Sequence, residues 1–130
     1  MRIATTIARI LLGLLFTFMG ASAFFISKPP PLPGMAGTFN DVFIHSHWSL
    51  FVGAAQLVLG VLFLINRFVP IALIMLAAFL YNSFAFHITM MPAALPAPLI
   101  VLVLWTIVAL KYRAVFAPLL KATPALPEQR

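Results

Sequence analysis

Residues 53–73 read GAAQLVLGVLFLINRFVPIAL and contain two apolar runs separated by the dipeptide Asn66-Arg67. A gap of that length leaves room only for a tight turn, so the sequence predicts two antiparallel helices that are neighbours in space. Followed in both directions, the two runs extend over residues 48–65 and about 68–87. This helical hairpin is the unit around which the remaining apolar segments must pack.

The composition is that of a protein inside a bilayer. Of the 130 residues, 64% are apolar and 8% are charged, whereas a soluble domain carries about 25% charged residues. Further apolar runs cover about residues 3–26 and 97–110, and the first is long enough to cross a ~30 Å hydrocarbon core. We predict an all-α membrane protein with a four-transmembrane-helix bundle over residues 1–120, an outer loop over 27–47 and a disordered cytoplasmic tail over 121–130.

The distribution of basic residues predicts the orientation. Short loops rich in Lys and Arg stay in the cytoplasm. With both termini cytoplasmic, seven of the eight Lys and Arg residues lie on the inner side, and Lys28 alone lies on the outer side. The sequence therefore predicts a multi-pass protein of the bacterial cytoplasmic (inner) membrane, with the lipid bilayer as its first partner.

Several function classes are excluded by composition. The net charge is +6, but the basic residues that produce it flank the apolar runs. No basic patch is interleaved with aromatic residues, so the sequence does not predict nucleic-acid binding. The absence of cysteine excludes disulfides, thiolate metal sites and dithiol relays. No Asp, Glu, Lys or Arg lies in the hydrophobic middle of a predicted helix, which argues against an ion-coupled pump.

All three histidines fall on the predicted outer side. Histidine can ligate a metal or haem, donate a hydrogen bond to a quinone oxygen, or carry a proton near neutral pH. His45 and His47 form an H-x-H pair without a carboxylate-rich or cysteine partner, which is a weak metal signal. We predict no metal site, with His45, His47 and His87 as weak candidates. The alternative is that these side chains lie in the headgroup region, as Trp48 does.

Two helices carry stripes of small and polar residues. Arg9, Gly13, Thr17 and Gly20 share a face of the first helix, and Ser49, Gly53, Gln56 and Gly60 share a face of the second. Such stripes allow close helix packing, and a glutamine among them must form a hydrogen bond to another helix or to a ligand. Both interpretations of Gln56 are retained.

The third helix carries polar residues near its outer end. Asn82 needs a partner or a ligand because an unpaired polar group in a spanning helix is costly. Ser83 and His87 share a face at i, i+4. The predicted ligand-binding residues are Gln56, Asn82, Ser83, His87 and Trp105.

Four segments resemble the DoxX family of small four-helix membrane proteins. They are ARILLGLLFTFMG (8–20), GAAQLVLGVLFLINRFVPIAL (53–73), FHITMMPAALP (86–96) and KYRAVFAPLL (111–120). The resemblance implies a four-helix fold and an association with membrane oxidoreductase systems, one branch of the family being a subunit of thiosulfate:quinone oxidoreductase. Positions that match the family pattern are Gly13, Gly20, Gly53, Gly60, Asn82 and His87.

The chain departs from that pattern at two positions. Related members often carry a glutamate where Gln56 stands, and a lysine where this chain has Ala23. An amide can form hydrogen bonds but does not handle protons as a carboxylate does, so the departure at Gln56 argues against intrinsic catalysis.

The leading functional hypothesis is an accessory subunit of a membrane redox system with an outer-side pocket for a quinone or another lipophilic small molecule. A redox partner subunit or a homo-oligomer would then be its protein partner. The alternative is a structural or assembly protein whose small-residue stripes dock partner helices without a ligand. A haem or metal protein and a transporter are the less favoured hypotheses.

Overall fold

The computed structural model describes residues 2–26 and 28–127, and within these ranges all regular structure is helical. The longer helices alternate with short connections, and a turn of 3₁₀ helix precedes the last long one. The elements are α1 (Arg2–Phe25), α2 (Gly34–His45), α3 (Trp48–Ile65), α4 (Val69–Met90), α5 (Pro96–Lys111) and α6 (Arg113–Phe116), with 3₁₀ turns at Pro92–Ala94 and Ala117–Leu120.

Four segments are long and apolar enough to cross a membrane. They are Arg2–Phe25, Trp48–Ile65, Val69–Met90 and Pro92–Lys111. The predicted all-α bundle of four transmembrane helices is therefore confirmed. Lipid would contact the large apolar side chains that these helices expose, such as Phe18, Phe51 and Ile100.

The hairpin between α3 and α4 closes through a Schellman motif. Asn66 adopts a left-handed conformation with φ of 56°. The N–H of Asn66 bonds to the carbonyl of Phe63 at 3.3 Å, and the N–H of Arg67 bonds to the carbonyl of Leu62 at 3.2 Å. These bonds satisfy two of the carbonyls that a helix C-terminus leaves without partners. Pro70 then lies in the first turn of α4, where its missing N–H is harmless.

The four spanning helices form a ring in the order α3, α1, α5, α4. The contact between α1 and α3 is by far the closest, because glycines face glycines there. A Cβ placed on Gly20 would lie 2.6 Å from the carbonyl oxygen of Gly53. Gly13 faces Gly60 about two turns closer to the hairpin, where a Cβ on Gly13 would lie 3.1 Å from the carbonyl oxygen of Gly60. The two small-residue stripes thus pack against each other.

The core lies between α1, α3, α4 and α5 on the hairpin side of the bundle. Phe16 of α1 reaches across the ring to Phe79 of α4, with the ring centroids 5.3 Å apart in an edge-to-face arrangement. Buried apolar side chains surround this pair: Leu12, Leu59, Phe63, Val69, Leu73, Leu76 and Val108. Edge-to-face packing of this kind adds about 1 kcal/mol to area burial.

The predicted outer loop over 27–47 contains a helix that the sequence analysis did not predict. Prolines from Pro29 to Pro33 keep residues 28–33 out of helical conformation, but α2 begins directly after them at Gly34, whose φ is 61°. Ala36, Phe39 and Phe43 recur at helical spacing, which is the signal that the proline run obscured. Residue 27 lies outside the described residues.

Aromatic contacts hold α2 across the ends of α3 and α4. The Phe39 ring lies 5.9 Å from Phe43, 6.2 Å from Trp48 and 5.4 Å from Phe86, measured between centroids. These residues come from α2, α3 and α4, so the cluster joins three elements at one place. The loop therefore folds back as a cover.

We expect Phe39→Ala to loosen α2, because it removes three ring contacts worth together about 2 kcal/mol. Hydrogen-exchange mass spectrometry should then show faster amide exchange over residues 34–45. Met35→Ala is the matched control, since Met35 lies on the same helix with 69% of its surface exposed. Unchanged exchange in Phe39→Ala would show that other contacts hold α2.

The end of one helix differs from that predicted. Helix α4 continues past His87 to Met90, and the backbone N–H of Met91 bonds to the carbonyl oxygen of His87 at 3.2 Å. After Leu120, residues 121–127 are exposed and lack regular structure. The rest of the predicted disordered tail, residues 128–130, lies outside the described residues.

Candidate functional site

A cavity of about 1550 Å³ lies beneath α2, with walls from α1, α3, α4 and α5. Pockets for drug-sized molecules usually measure about 300–1,000 Å³, so this space is large enough for an extended molecule. Most of its lining is apolar. No Lys, Arg, Asp or Glu occurs among the described residues that line it. The cavity therefore suits a neutral, mainly apolar occupant.

Gln56 is the most buried polar residue of the described cavity wall. It lies eight positions into α3, about 12 Å along the axis at 1.5 Å per residue. The residue is only 7% exposed, yet its amide makes no hydrogen bond to any residue that the structure describes. Both amide atoms keep some accessible surface, since among the described residues only the Oγ1 of Thr17 is a fully buried side-chain N or O atom without a hydrogen bond. The interpretation of Gln56 as a hydrogen bond between helices is thus not what the structure shows.

Asn82 also lines the cavity, but it is exposed rather than buried. Its Nδ2 donates to the carbonyl oxygen of Ala78, one turn earlier on α4, at 2.9 Å. The hydrogen-bond partner that the sequence predicted for Asn82 is thus a backbone carbonyl of its own helix. The Oδ1 atom and the second N–H of Asn82 remain for another partner.

Ser83 and His87 lie on the same face of α4 and line the cavity together. The Nδ1 of His87 lies 2.7 Å from the carbonyl oxygen of Ser83 and 3.5 Å from its Oγ. A carbonyl oxygen only accepts hydrogen bonds, so Nδ1 carries the proton and donates it. In its neutral form the ring then presents Nε2 as an acceptor.

His45 and His47 line the same cavity at its α2 end. His47 has a left-handed backbone with φ of 64°, which forms the corner between α2 and α3. Although His87 lines the cavity as well, no three His, Cys, Asp or Glu side chains within residues 2–26 and 28–127 are grouped closely enough to hold a metal ion. The three histidines share a cavity without forming such a group.

Trp105 does not belong with the other predicted residues. It is absent from the described cavity lining, and its indole N–H donates to the carbonyl oxygen of Leu73 at 2.8 Å. This bond fastens α5 to α4 beside the core. The bond has a simple cause, because an indole inside a membrane needs a hydrogen-bond acceptor and the bundle supplies one.

Three polar residues of the wall were not singled out from the sequence: Ser22 of α1, Asn40 of α2 and Thr89 near the end of α4. Thr89 lies two residues beyond His87, where the sequence analysis had ended the helix. Asn40 lies on the helix that was expected to be a loop. Correct helix boundaries would have placed both near the histidines.

Comparison with known proteins places the chain in a family. The DoxX family model matches residues 4–95, which is most of the chain and includes α1 to α4. No curated protein and no solved structure matches it significantly. The match covers the glycine-packed α1 and α3, the hairpin and the α4 face that carries Asn82 and His87. This four-helix membrane protein therefore belongs to the DoxX family.

Proposed function

We propose that the protein binds a neutral lipophilic small molecule, such as a quinone, in the cavity beneath α2, and that it does so as an accessory subunit of a membrane redox system. The observation that carries the proposal is the unpartnered amide of Gln56. A chain that only required packing would be more stable with leucine at a site that is 7% exposed. A ligand oxygen in the cavity would give the Gln56 amide the hydrogen-bond partner that the described residues do not supply.

The second support is the contrast between the cavity wall and its polar groups. Apolar side chains surround the space, and a few polar side chains face it at two levels, Gln56 in the interior and His87 near the end of α4. Binding sites for small molecules combine an apolar wall with few convergent polar groups in this way.

The alternative of a helix-docking assembly protein has less support. Its basis was the two small-residue stripes, and Gly20, Gly53 and Gly60 are engaged between α1 and α3 of the same chain. They are therefore not available to a partner helix. A redox partner subunit, or a second copy, would have to bind elsewhere on the lipid-facing surface.

We also propose that both termini face the cytoplasm of a bacterial inner membrane. The hairpin at Arg67, the start of α1 and the end of α5 at Lys111 lie at one end of the bundle, opposite α2. Basic residues gather at that end. The positive-inside rule then places the cavity near the outer surface.

Native mass spectrometry of the gently solubilised protein tests the proposed function. We expect the wild type to carry a bound small molecule, and Gln56→Leu to reduce its affinity by about tenfold through loss of the amide hydrogen bonds. The same variant should not lower the melting temperature of ligand-free protein, because the Gln56 amide makes no hydrogen bond to the described residues that its loss would break. His87→Ala should also weaken binding.

Thr106→Val is the matched control, since Thr106 lies outside the cavity lining and donates its hydroxyl to the carbonyl of Leu102 at 2.8 Å. It should leave the bound mass unchanged. If the ligand remained with equal occupancy in Gln56→Leu, or if folded wild type took up none, the proposal would be contradicted.

A further inference from the structure

Three side chains at the α2 end of the cavity donate their hydrogen to a backbone carbonyl oxygen of their own helix. His45, His87 and Thr89 all line the cavity. The Nδ1 of His45 lies 2.8 Å from the carbonyl oxygen of Asp41, and the Nδ1 of His87 lies 2.7 Å from that of Ser83. The hydroxyl of Thr89 donates to the carbonyl oxygen of Ala85 at 2.7 Å.

The pattern is local and repeats. Each bond runs to the carbonyl four residues earlier in the same helix, and a carbonyl oxygen can only accept. The donor of each side chain is therefore fixed by its own helix. A neutral histidine whose Nδ1 donates keeps Nε2 as an acceptor, and a threonine whose hydroxyl donates keeps its oxygen lone pairs. At these three side chains the ends of α2 and α4 thus offer acceptors to an occupant, while Asn40 and Ser49 of the same lining keep donors of their own.

The chemical class of the occupant follows from these acceptors and from the absence of formal charge. A head that carries only acceptors, such as a carbonyl or an ether, could accept from Asn40 or Ser49 but would offer no donor to His45, His87 and Thr89. An ammonium head would supply donors, but no carboxylate lines the described cavity to balance its charge. A hydroxyl group supplies a donor and remains neutral.

We infer that the cavity selects a lipophilic molecule whose head carries hydroxyl donors, with one hydroxyl at the His45, His87 and Thr89 end and a second oxygen toward Gln56. The inference rests on the proposed function and narrows it from lipophilic molecules in general to hydroxylated ones. The deep amide of Gln56 can both donate and accept, so it imposes no such choice.

The test compares probes that share a carbon skeleton and differ in donors. These are decylhydroquinone, its 1,4-dimethyl ether and decylbenzoquinone, titrated under argon into the full chain in nanodiscs. The chain has no cysteine for the quinone to alkylate. We expect the hydroquinone to bind about tenfold more tightly than either donor-free probe, the effect of one to two hydrogen bonds.

Variants then show which side chains cause the preference for hydroquinone over its dimethyl ether. His87→Leu should narrow the difference between hydroquinone and dimethyl ether, and Thr89→Val should do so to a smaller extent. Tyr81→Phe is the control, because Tyr81 lies on the same helix, is 78% exposed and is absent from the described lining. It should preserve the full preference.

The outcomes separate the inference from the proposed function. Equal affinity for all three probes, weakened by Gln56→Leu, would overturn the hydroxyl preference and keep lipophile binding. No binding of any probe to correctly folded protein would overturn both. A parallel titration with 1-monooleoylglycerol and its dimethyl ether distinguishes the two sources of a hydroxyl head. Tighter binding of the glyceride would identify an acyl lipid as the ligand, and tighter binding of the hydroquinone would identify an aromatic diol.

Discussion

Replacing Gly60 with leucine is expected to force α1 away from α3 and to lower the free energy of unfolding by about 3 kcal/mol, the upper end of the usual cost of overpacking. A Cβ at this position would collide with the backbone nitrogen of Thr17 and would lie 2.6 Å from the Oγ1 of the same residue and 2.8 Å from the carbonyl carbon of Phe16. Backbone atoms cannot turn aside as a side chain can. The helices must therefore separate along much of their contact.

Reversible unfolding in mixed micelles with increasing dodecyl sulfate, followed by tryptophan fluorescence, measures this change. Ala54→Leu provides the control, since Ala54 lies on the same helix, is exposed and does not line the cavity. It adds the same bulk toward lipid and should leave stability nearly unchanged. Equal unfolding midpoints for Gly60→Leu and wild type would show that α1 and α3 are not held in this close contact.

Replacing Arg9 with methionine is expected to destabilise the hairpin end of the bundle by about 2 kcal/mol, a typical value for hydrogen bonds from a charged group. The Arg9 guanidinium, on α1, donates to the carbonyl oxygens of Phe63 and Leu64 in the last turn of α3, and the bond to Leu64 measures 3.2 Å. The Schellman motif satisfies the carbonyls of Leu62 and Phe63. Arg9 supplies a donor for Leu64 and places positive charge at the negative end of the helix dipole.

The same micellar unfolding experiment applies, with Arg67→Met as its control. Arg67 lies in the same hairpin and carries the same charge, but its exposed side chain forms no hydrogen bond to the described part of the chain. The comparison therefore separates the bonds of Arg9 from the loss of one basic residue at this end. Equal destabilisation by the two substitutions would assign the effect to charge alone and would contradict the capping role.

The close packing of α1 and α3 also bears on the proposed site. Gly53, Gln56 and Gly60 lie in one stripe, and the two glycines face α1. Gln56, three positions after Gly53, lines the cavity instead. A shift of α3 relative to α1 would move the amide as well, so we expect substitutions at these glycines to weaken ligand binding before they unfold the chain.

The sequence by itself determined the membrane setting, the four spanning helices and the hairpin at Asn66-Arg67. These features depend on local properties, namely apolar length, the size of the gap between runs and the residues at helix ends. The glycine stripes also predicted close packing, because only the absence of a side chain allows backbones to approach so near. Family membership followed from the same segments.

The tertiary structure alone decided which polar groups are satisfied. Asn82 and Trp105 were both predicted to bind the ligand, yet Asn82 bonds to its own helix at the cavity wall and Trp105 bonds to Leu73 outside the described lining. Gln56 could have bonded across the bundle, but no described residue reaches it. A hydrogen bond requires atoms from separate elements to come within about 3 Å, and residue spacing along one helix does not fix that distance.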